Sequence, residues 1–211
     1  SANGTNPICN GAVGSAMAVA NGGTAPYNFV WNSLPPQNSA NATNLPANTY
    51  TVTVSDDNNC TATTSVTLTQ PALLNVNIIP QNPSCFGNTN GAATANLVGG
   101  TAPYAFVWDT NPAQNTATAT DLAAGFPYTV TVTDANNCFG IGSVTLSEPT
   151  ALVVDVVTNN STCNTANGSA TASVSNGTTP YSFVWDNNPS TTNQAGNYPS
   201  GNYNVTITDA N

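Results

Sequence analysis

Pro26-Tyr27-Asn28-Phe29-Val30-Trp31 recurs as Pro103-Tyr104-Ala105-Phe106-Val107-Trp108 and again as Pro180-Tyr181-Ser182-Phe183-Val184-Trp185, so that the three Trp stand 77 residues apart both times. Self-similarity at a fixed period marks an array of equivalent structural units. Within the hexapeptide, aromatic residues alternate with residues of another kind. Tyr27, Phe29 and Trp31 share one face of an extended chain, while Asn28, Val30 and Asn32 share the other. That period of two belongs to a half-buried strand.

Working outward, each hexapeptide follows a turn rich in glycine: Asn21-Gly22-Gly23, Val98-Gly99-Gly100 and Asn176-Gly177-Thr178. About 20 residues later comes a second strand pattern that ends in an acid. It reads Tyr50-Thr-Val-Thr-Val-Ser-Asp56, Tyr128-Thr-Val-Thr-Val-Thr-Asp134 and Tyr203-Asn-Val-Thr-Ile-Thr-Asp209. Val66-Thr-Leu-Thr-Gln-Pro71 and Val144-Thr-Leu-Ser-Glu-Pro149 close two of the units. Before each glycine turn lies a strand whose inward set is small: Ala16, Ala18, Ala20; Ala93, Ala95, Leu97; Ala170, Ala172, Val174. Small residues on one sheet facing Tyr, Phe and Trp on the other fill a thin sandwich. Leu74, Val76 and Ile78 form the inward set of the strand opening the middle unit, and Leu152, Val154 and Val156 that of the third.

The expected fold is therefore all-β: tandem immunoglobulin-like antiparallel β-sandwich modules arranged as a rod, with about seven strands in the complete middle unit. The modules span residues 1–70, with the first strand largely missing, then 71–148, and then 149–211, with the last strand missing. Linkers are almost nil, and the prolines at Gln70-Pro71 and Glu148-Pro149 restrict rotation at the boundaries.

Composition removes whole classes of function. The 211 residues contain no Lys, Arg or His, where ordinary usage would supply roughly 25 Lys and Arg. Nine acids give a net charge of −9. Nucleic-acid binding by counterion release and lipid binding by a basic patch both require cations. No side-chain ion pair can form, and no imidazole or side-chain amine is available for catalysis. The 16 aromatics argue for a folded chain. No apolar run approaches the roughly 20 residues of a membrane-spanning helix. With no initiating Met and no signal peptide, Ser1 reads as the start of an excerpt or of a processed chain.

Five cysteines leave one over. Cys9 and Cys60 lie 51 residues apart and Cys85 and Cys138 lie 53 apart, in matching places of the first two modules. That spacing leads us to expect disulfides Cys9–Cys60 and Cys85–Cys138, each constraining the unfolded chain by about 4 kcal/mol. Cys163 is the third-module counterpart of Cys85, and its partner is expected two residues beyond Asn211, or on another subunit. Disulfides imply an oxidising compartment. Zinc is disfavoured by the lack of His and of any close Cys pair.

Gly-Gly-Thr-Ala-Pro-Tyr-x-Phe-Val-Trp, followed by Gly-x-Tyr-Thr-Val-Thr-Val-Thr-Asp-Ala-Asn-Asn-Cys, resembles the SprB repeat. The resemblance covers essentially all three modules. It implies an extracellular, cell-surface filament or adhesin stalk of many modules. Its partners would be further copies or a covalent continuation of the same chain, with carbohydrate or another surface as an alternative ligand of the variable segments 33–48, 109–125 and 187–202. From the composition, no enzyme activity, no nucleic-acid partner and no membrane insertion are expected.

Candidate chemistry is sparse. Asp56, Asp57, Asp134 and Asp209 are candidate calcium ligands, since Ca²⁺ takes six to eight oxygens. Asp followed by Asn at a strand end equally makes an Asx turn. Asp109 and Asp186 follow their Trp, but Asn32 holds that place in the first module, which opposes a shared metal role. Trp31, Trp108 and Trp185 share their face with Tyr and Phe and are expected in the core rather than on a sugar-binding surface. No carboxylate pair suggests hydrolysis, and no cofactor is expected. Asn-x-Ser/Thr sequons make Asn3, Asn41, Asn159, Asn167, Asn176 and Asn204 candidate glycosylation sites, with Asn59 and Asn160 in further sequons. Thr116, Thr118 and Thr120 and the cluster 190–192 are candidate O-glycan carriers.

Overall fold

The computed structural model describes residues 1–163 and 165–211. The described residues hold seventeen strands and no helix. In chain order these are β1 (Ala2–Thr5), β2 (Gly14–Ala18), β3 (Asn28–Trp31), β4 (Asn41–Leu45), β5 (Thr49–Ser55) and β6 (Thr61–Thr67) in the first repeat. The middle repeat has β7 (Asn75–Gln81), β8 (Gly91–Val98), β9 (Ala105–Trp108), β10 (Thr118–Leu122), β11 (Pro127–Thr133) and β12 (Phe139–Thr145). The third has β13 (Val153–Asn159), β14 (Gly168–Ser175), β15 (Ser182–Trp185), β16 (Gln194–Tyr198) and β17 (Val205–Thr208).

Each repeat builds two sheets from the same positions. The orders are β1-β2-β4 with β3-β5-β6, then β10-β8-β7 with β12-β11-β9, then β13-β14-β16 with the two-stranded β15-β17. The middle repeat thus has six strands where about seven were expected. Residues 83–90, between β7 and β8, form turns around Cys85 and Asn88 instead of an additional strand. The first repeat does have its opening strand. β1 is four residues long against seven in β7, and it pairs antiparallel with β2 from Ala2↔Ala18 to Thr5↔Ser15.

By Cα proximity the chain forms two compact units. One comprises Ser1–Ile79, Thr94–Ala119 and Tyr128–Val144; the other comprises Pro80–Ala93, Thr120–Pro127 and Thr145–Asn211. In the first, Ala16, Ala18, Ala42 and Leu45 of one sheet pack on Trp31, Tyr50, Val52 and Leu68 of the other. In the second, Ala170, Ala172, Ala195 and Tyr198 surround Trp185. Trp31 and Trp108 are fully buried (0% exposed), and their indole N–H groups donate to the carbonyls of Ser39 and Thr116; Trp185 donates likewise to Thr192. The aromatic–alanine complementarity of the sequence is the core of the fold, and the Trp belong to it.

Candidate assembly site

The recurrent acids tie two loops together. Asp56 accepts from the Thr24 N–H through Oδ2 and from the Asn58 and Cys60 N–H groups through Oδ1. Asp134 repeats this with Thr101, Asn136 and Cys138. Asp209 does so with Thr178 and Asn211. Gly23, Gly100 and Gly177 lie against these carboxylates with φ of +77°, +67° and +71°, where a Cβ would meet the acid oxygen at 2.9, 3.3 and 2.9 Å. Only glycine combines that left-handed backbone with that closeness. Asn59 and Asn137 complete the turn with φ of 60° and 62°. The oxygens of Asp56, Asp134 and Asp209 therefore face amide donors, which is the Asx-turn reading; Asp57 is exposed beside them and donates its own N–H to the Thr24 carbonyl.

These bonds set the response to acid. The amide of Thr24, then that of Cys60, holds the Asp56 carboxyl below its ordinary 3.8. Burial pushes Asp134 up, but the amides of Cys138, Thr101 and Asn136 outweigh it and hold that carboxyl low as well. A carboxyl lowered by folding contributes stability that is complete above its ordinary value and is lost as pH falls through the lowered one. Thermal melts should therefore keep their midpoint from neutrality down to about pH 4 and drop below it. Asp134→Asn should lower the midpoint at pH 7 and flatten that drop; an unchanged acid profile would contradict the clamp.

Asn32, Asp109 and Asp186 do one job. Each accepts a backbone N–H, from Thr51, Thr129 and Asn204 respectively. A single oxygen is all this position needs, which is why an amide and a carboxylate interchange there.

Asn3, Asn41, Asn159, Asn167, Asn176 and Asn204 all lie exposed. Four of them use their side-chain amides internally: Asn159 donates to Ser169, Asn167 to Thr162, Asn176 to the Ala151 carbonyl and Asn204 to Asp186. Asn3 and Asn41, on β1 and β4, make no such bond among the described residues. Thr116 and Thr192 donate their hydroxyls to the carbonyls of Thr118 and Gln194.

The cysteines overturn the expected pairing. Cys9 is bonded to Cys138, with Cα atoms 5.6 Å apart and 129 residues between them in sequence, in place of Cys9–Cys60 and Cys85–Cys138. Cys60, Cys85 and Cys163 carry free thiols. The cause lies in where the early cysteine sits. The Asn6 side chain donates to the Thr69 hydroxyl and accepts from the Thr69 N–H, while the Gly11 N–H and the Asn10 side chain bond Gln70 and the Pro71 carbonyl. The loop carrying Cys9 is thus held at the end of its own repeat, where the next begins, and away from Cys60.

The same clamp recurs in the second compact unit. Asn82 and Ser147 exchange the same pair of bonds, and the Gly87 N–H donates to Glu148 at 2.7 Å. This holds the Cys85 loop in the equivalent place, and the Cys85 sulfur lies 3.6 Å from the Asn211 carbonyl oxygen.

The third repeat has an open side. Leu68 and Leu146, directly after β6 and β12, are buried in their repeats, and Val76 and Ile78 lie within close reach of the β12 backbone at Gly142. β17 has only β15 beside it. Val154 and Val156 are consequently 41% and 45% exposed. They line a groove of about 690 Å³ with Trp185, Tyr198, Tyr203 and Val205. Tyr198 stands where the other repeats have Leu45 and Leu122. Its hydroxyl is buried with no hydrogen-bond partner among the described residues, and burial, aided by the charge of Asp186, pushes its ionisation up. The groove lies on the side where the third module was expected to lack its last strand.

The family model described as SprB repeat matches residues 1–35, 77–113 and 156–190, just over half of the chain. None of the curated protein sequences matches. Among solved structures, the chain is similar to the C-terminal 282-residue fragment of intimin in complex with the intimin-binding domain of its translocated receptor (13% identity, 74% of this chain and 65% of that one, TM-score 0.39). It is similar also to the N-terminal eight immunoglobulin domains of Down syndrome cell adhesion molecule (14%, 86% and 31%, TM-score 0.31). A third likeness is to a tetra-tandem repeat in the extending region of a large adhesion protein (12%, 93% and 58%, TM-score 0.23). The chain thus spans less than two thirds of each, and the fold rests on the strand order above.

Proposed function

The chain belongs to the SprB-repeat family, and from that membership we propose that it is a structural segment of an extracellular surface adhesin or filament, serving reach and display. The observation that carries this reading is the repetition itself, the same strand order built again around a Trp every 77 residues. In the third repeat β17 has a free edge, with Val154 and Val156 exposed beneath it. A strand of the Val-x-Leu kind completes the sandwich, supplied by the continuing polypeptide or by another copy, as in strand addition generally. Reach comes from repetition, and the charge-free Thr and Asn faces carry no feature of a catalyst. Glycans on the free amides of Asn3 and Asn41 would add solubility to that surface.

A synthetic peptide with the sequence of residues 61–70, which holds the Val66 and Leu68 pattern, should bind the 211-residue chain saturably and raise its melting temperature. At a hundredfold excess over Kd the stabilisation of the domain it completes amounts to about 2.7 kcal/mol. The same peptide with Asp in place of its valine and leucine should not bind. Equal binding of both, or of neither, removes strand completion as the mode of assembly.

A further inference from the structure

We propose that disulfides in this repeat join each repeat to the next instead of closing a repeat on itself, and that Cys85 is the half-cystine for a cysteine placed two residues after Asn211. Cys9–Cys138 shows the register once: the early cysteine of one repeat meets the cysteine that follows the Asp-Ala-Asn-Asn turn of its successor. The second compact unit reproduces three hydrogen bonds and the turn of that junction, without the Asn10 bond, which Phe86 cannot make. The Asn82–Ser147 exchange matches Asn6–Thr69, and Gly87 on Glu148 matches Gly11 on Gln70. The turn from the Cys85 carbonyl to the Asn88 N–H, at 3.2 Å, matches the one from Cys9 to Ala12 at the same distance.

Asp209 likewise orders Thr178 and Asn211 as Asp134 orders Thr101 and Asn136. The Asp209-Ala210-Asn211 segment therefore follows the path of Asp134-Ala135-Asn136, which reaches its cysteine two residues later. It arrives beside Cys85, whose sulfur is 3.6 Å from the Asn211 carbonyl oxygen. In the completed junction of the first unit, a cysteine sulfur and a backbone carbonyl come equally close, Cys138 Sγ lying 3.4 Å from the Ile8 oxygen.

The bond forms by thiol–disulfide exchange with a low-molecular-mass disulfide. The thiolate of one cysteine attacks oxidised glutathione and releases one glutathione thiolate. The second cysteine thiolate then attacks the mixed disulfide and releases the other. Two protein thiols are oxidised, one glutathione disulfide is reduced to two glutathione thiols, and the two protons end on those thiols.

The test appends Asn-Cys after Asn211 on the full chain and refolds it in a glutathione redox buffer. Free thiols are then alkylated, and the unreduced protein is digested with chymotrypsin, since trypsin has no site. The appended cysteine should be recovered joined to the Cys85 peptide, with Cys60 and Cys163 alkylated and Cys9–Cys138 present. In a Cys85→Ser version the appended cysteine should be recovered alkylated. An appended cysteine joined to Cys163 in either protein overturns the proposal, because the third repeat would then close on itself. So does an alkylated appended cysteine when Cys85 is intact, or a digest without Cys9–Cys138.

Discussion

Exchanging Cys9 and Cys138 together for serine lowers the unfolding free energy by about 4–5 kcal/mol. The bridge closes a loop of 129 residues, and the loss of loop-closure entropy in the unfolded chain grows with the logarithm of that length. A guanidinium titration of the double variant against the parent measures it. Cys60→Ser is the discriminating control. Cys60 is exposed and free, so its replacement should change stability by less than about 0.5 kcal/mol. A pairing within the first repeat would reverse this, with Cys60→Ser costing as much as Cys9→Ser.

Trp108→Ala is the second large effect, at about 3–5 kcal/mol. The indole is wholly buried and its N–H satisfies the Thr116 carbonyl at 3.0 Å, so truncation opens a cavity and strips a buried acceptor at once. Ala95 and Ala119 of the other sheet are themselves buried, and alanine side chains cannot reach across to fill the space. Trp108→Phe keeps much of the volume and should cost clearly less. If alanine and phenylalanine are equally damaging, the hydrogen bond outweighs the packing; if both are neutral, the core reading is wrong.

What could be read from the sequence was local. Tyr27, Phe29 and Trp31 declare their face by period two, and Asp56 with Asn58 and Asn59 declares a turn because its bonds to Asn58 and Cys60 span only two and four residues. The alanine face and the aromatic face imply each other. The disulfide register was hidden for a physical reason: the first two repeats offer the same two cysteines each, so a pairing within a repeat and a pairing across repeats have equally regular spacing. What selects between them is the anchoring of residues 6–11 on Thr69, Gln70 and Pro71, a contact some sixty residues away in sequence. The role of Asn32, Asp109 and Asp186 was veiled differently. The residues differ in charge, while the function uses only one oxygen. Tyr198 reads as one more inward aromatic, and its unpartnered hydroxyl follows from a neighbour that β15-β17 do not have.

The position of the Cys9–Cys138 bridge also determines how the molecule answers a pull. Tension applied through the backbone reaches Cys9 and passes across the sulfurs to Cys138 without travelling through the residues between. Those residues would otherwise release on the order of 400 Å of extended chain, at about 3.4 Å each. They are shielded, and the first repeat cannot lengthen by unravelling while the bridge is intact. Bridges closed inside a repeat would leave an unprotected stretch at every boundary, such as residues 60–85. The bridge that straddles the boundary encloses residues 60–85, so the junction between the first two repeats carries load through the sulfurs and not through its own backbone.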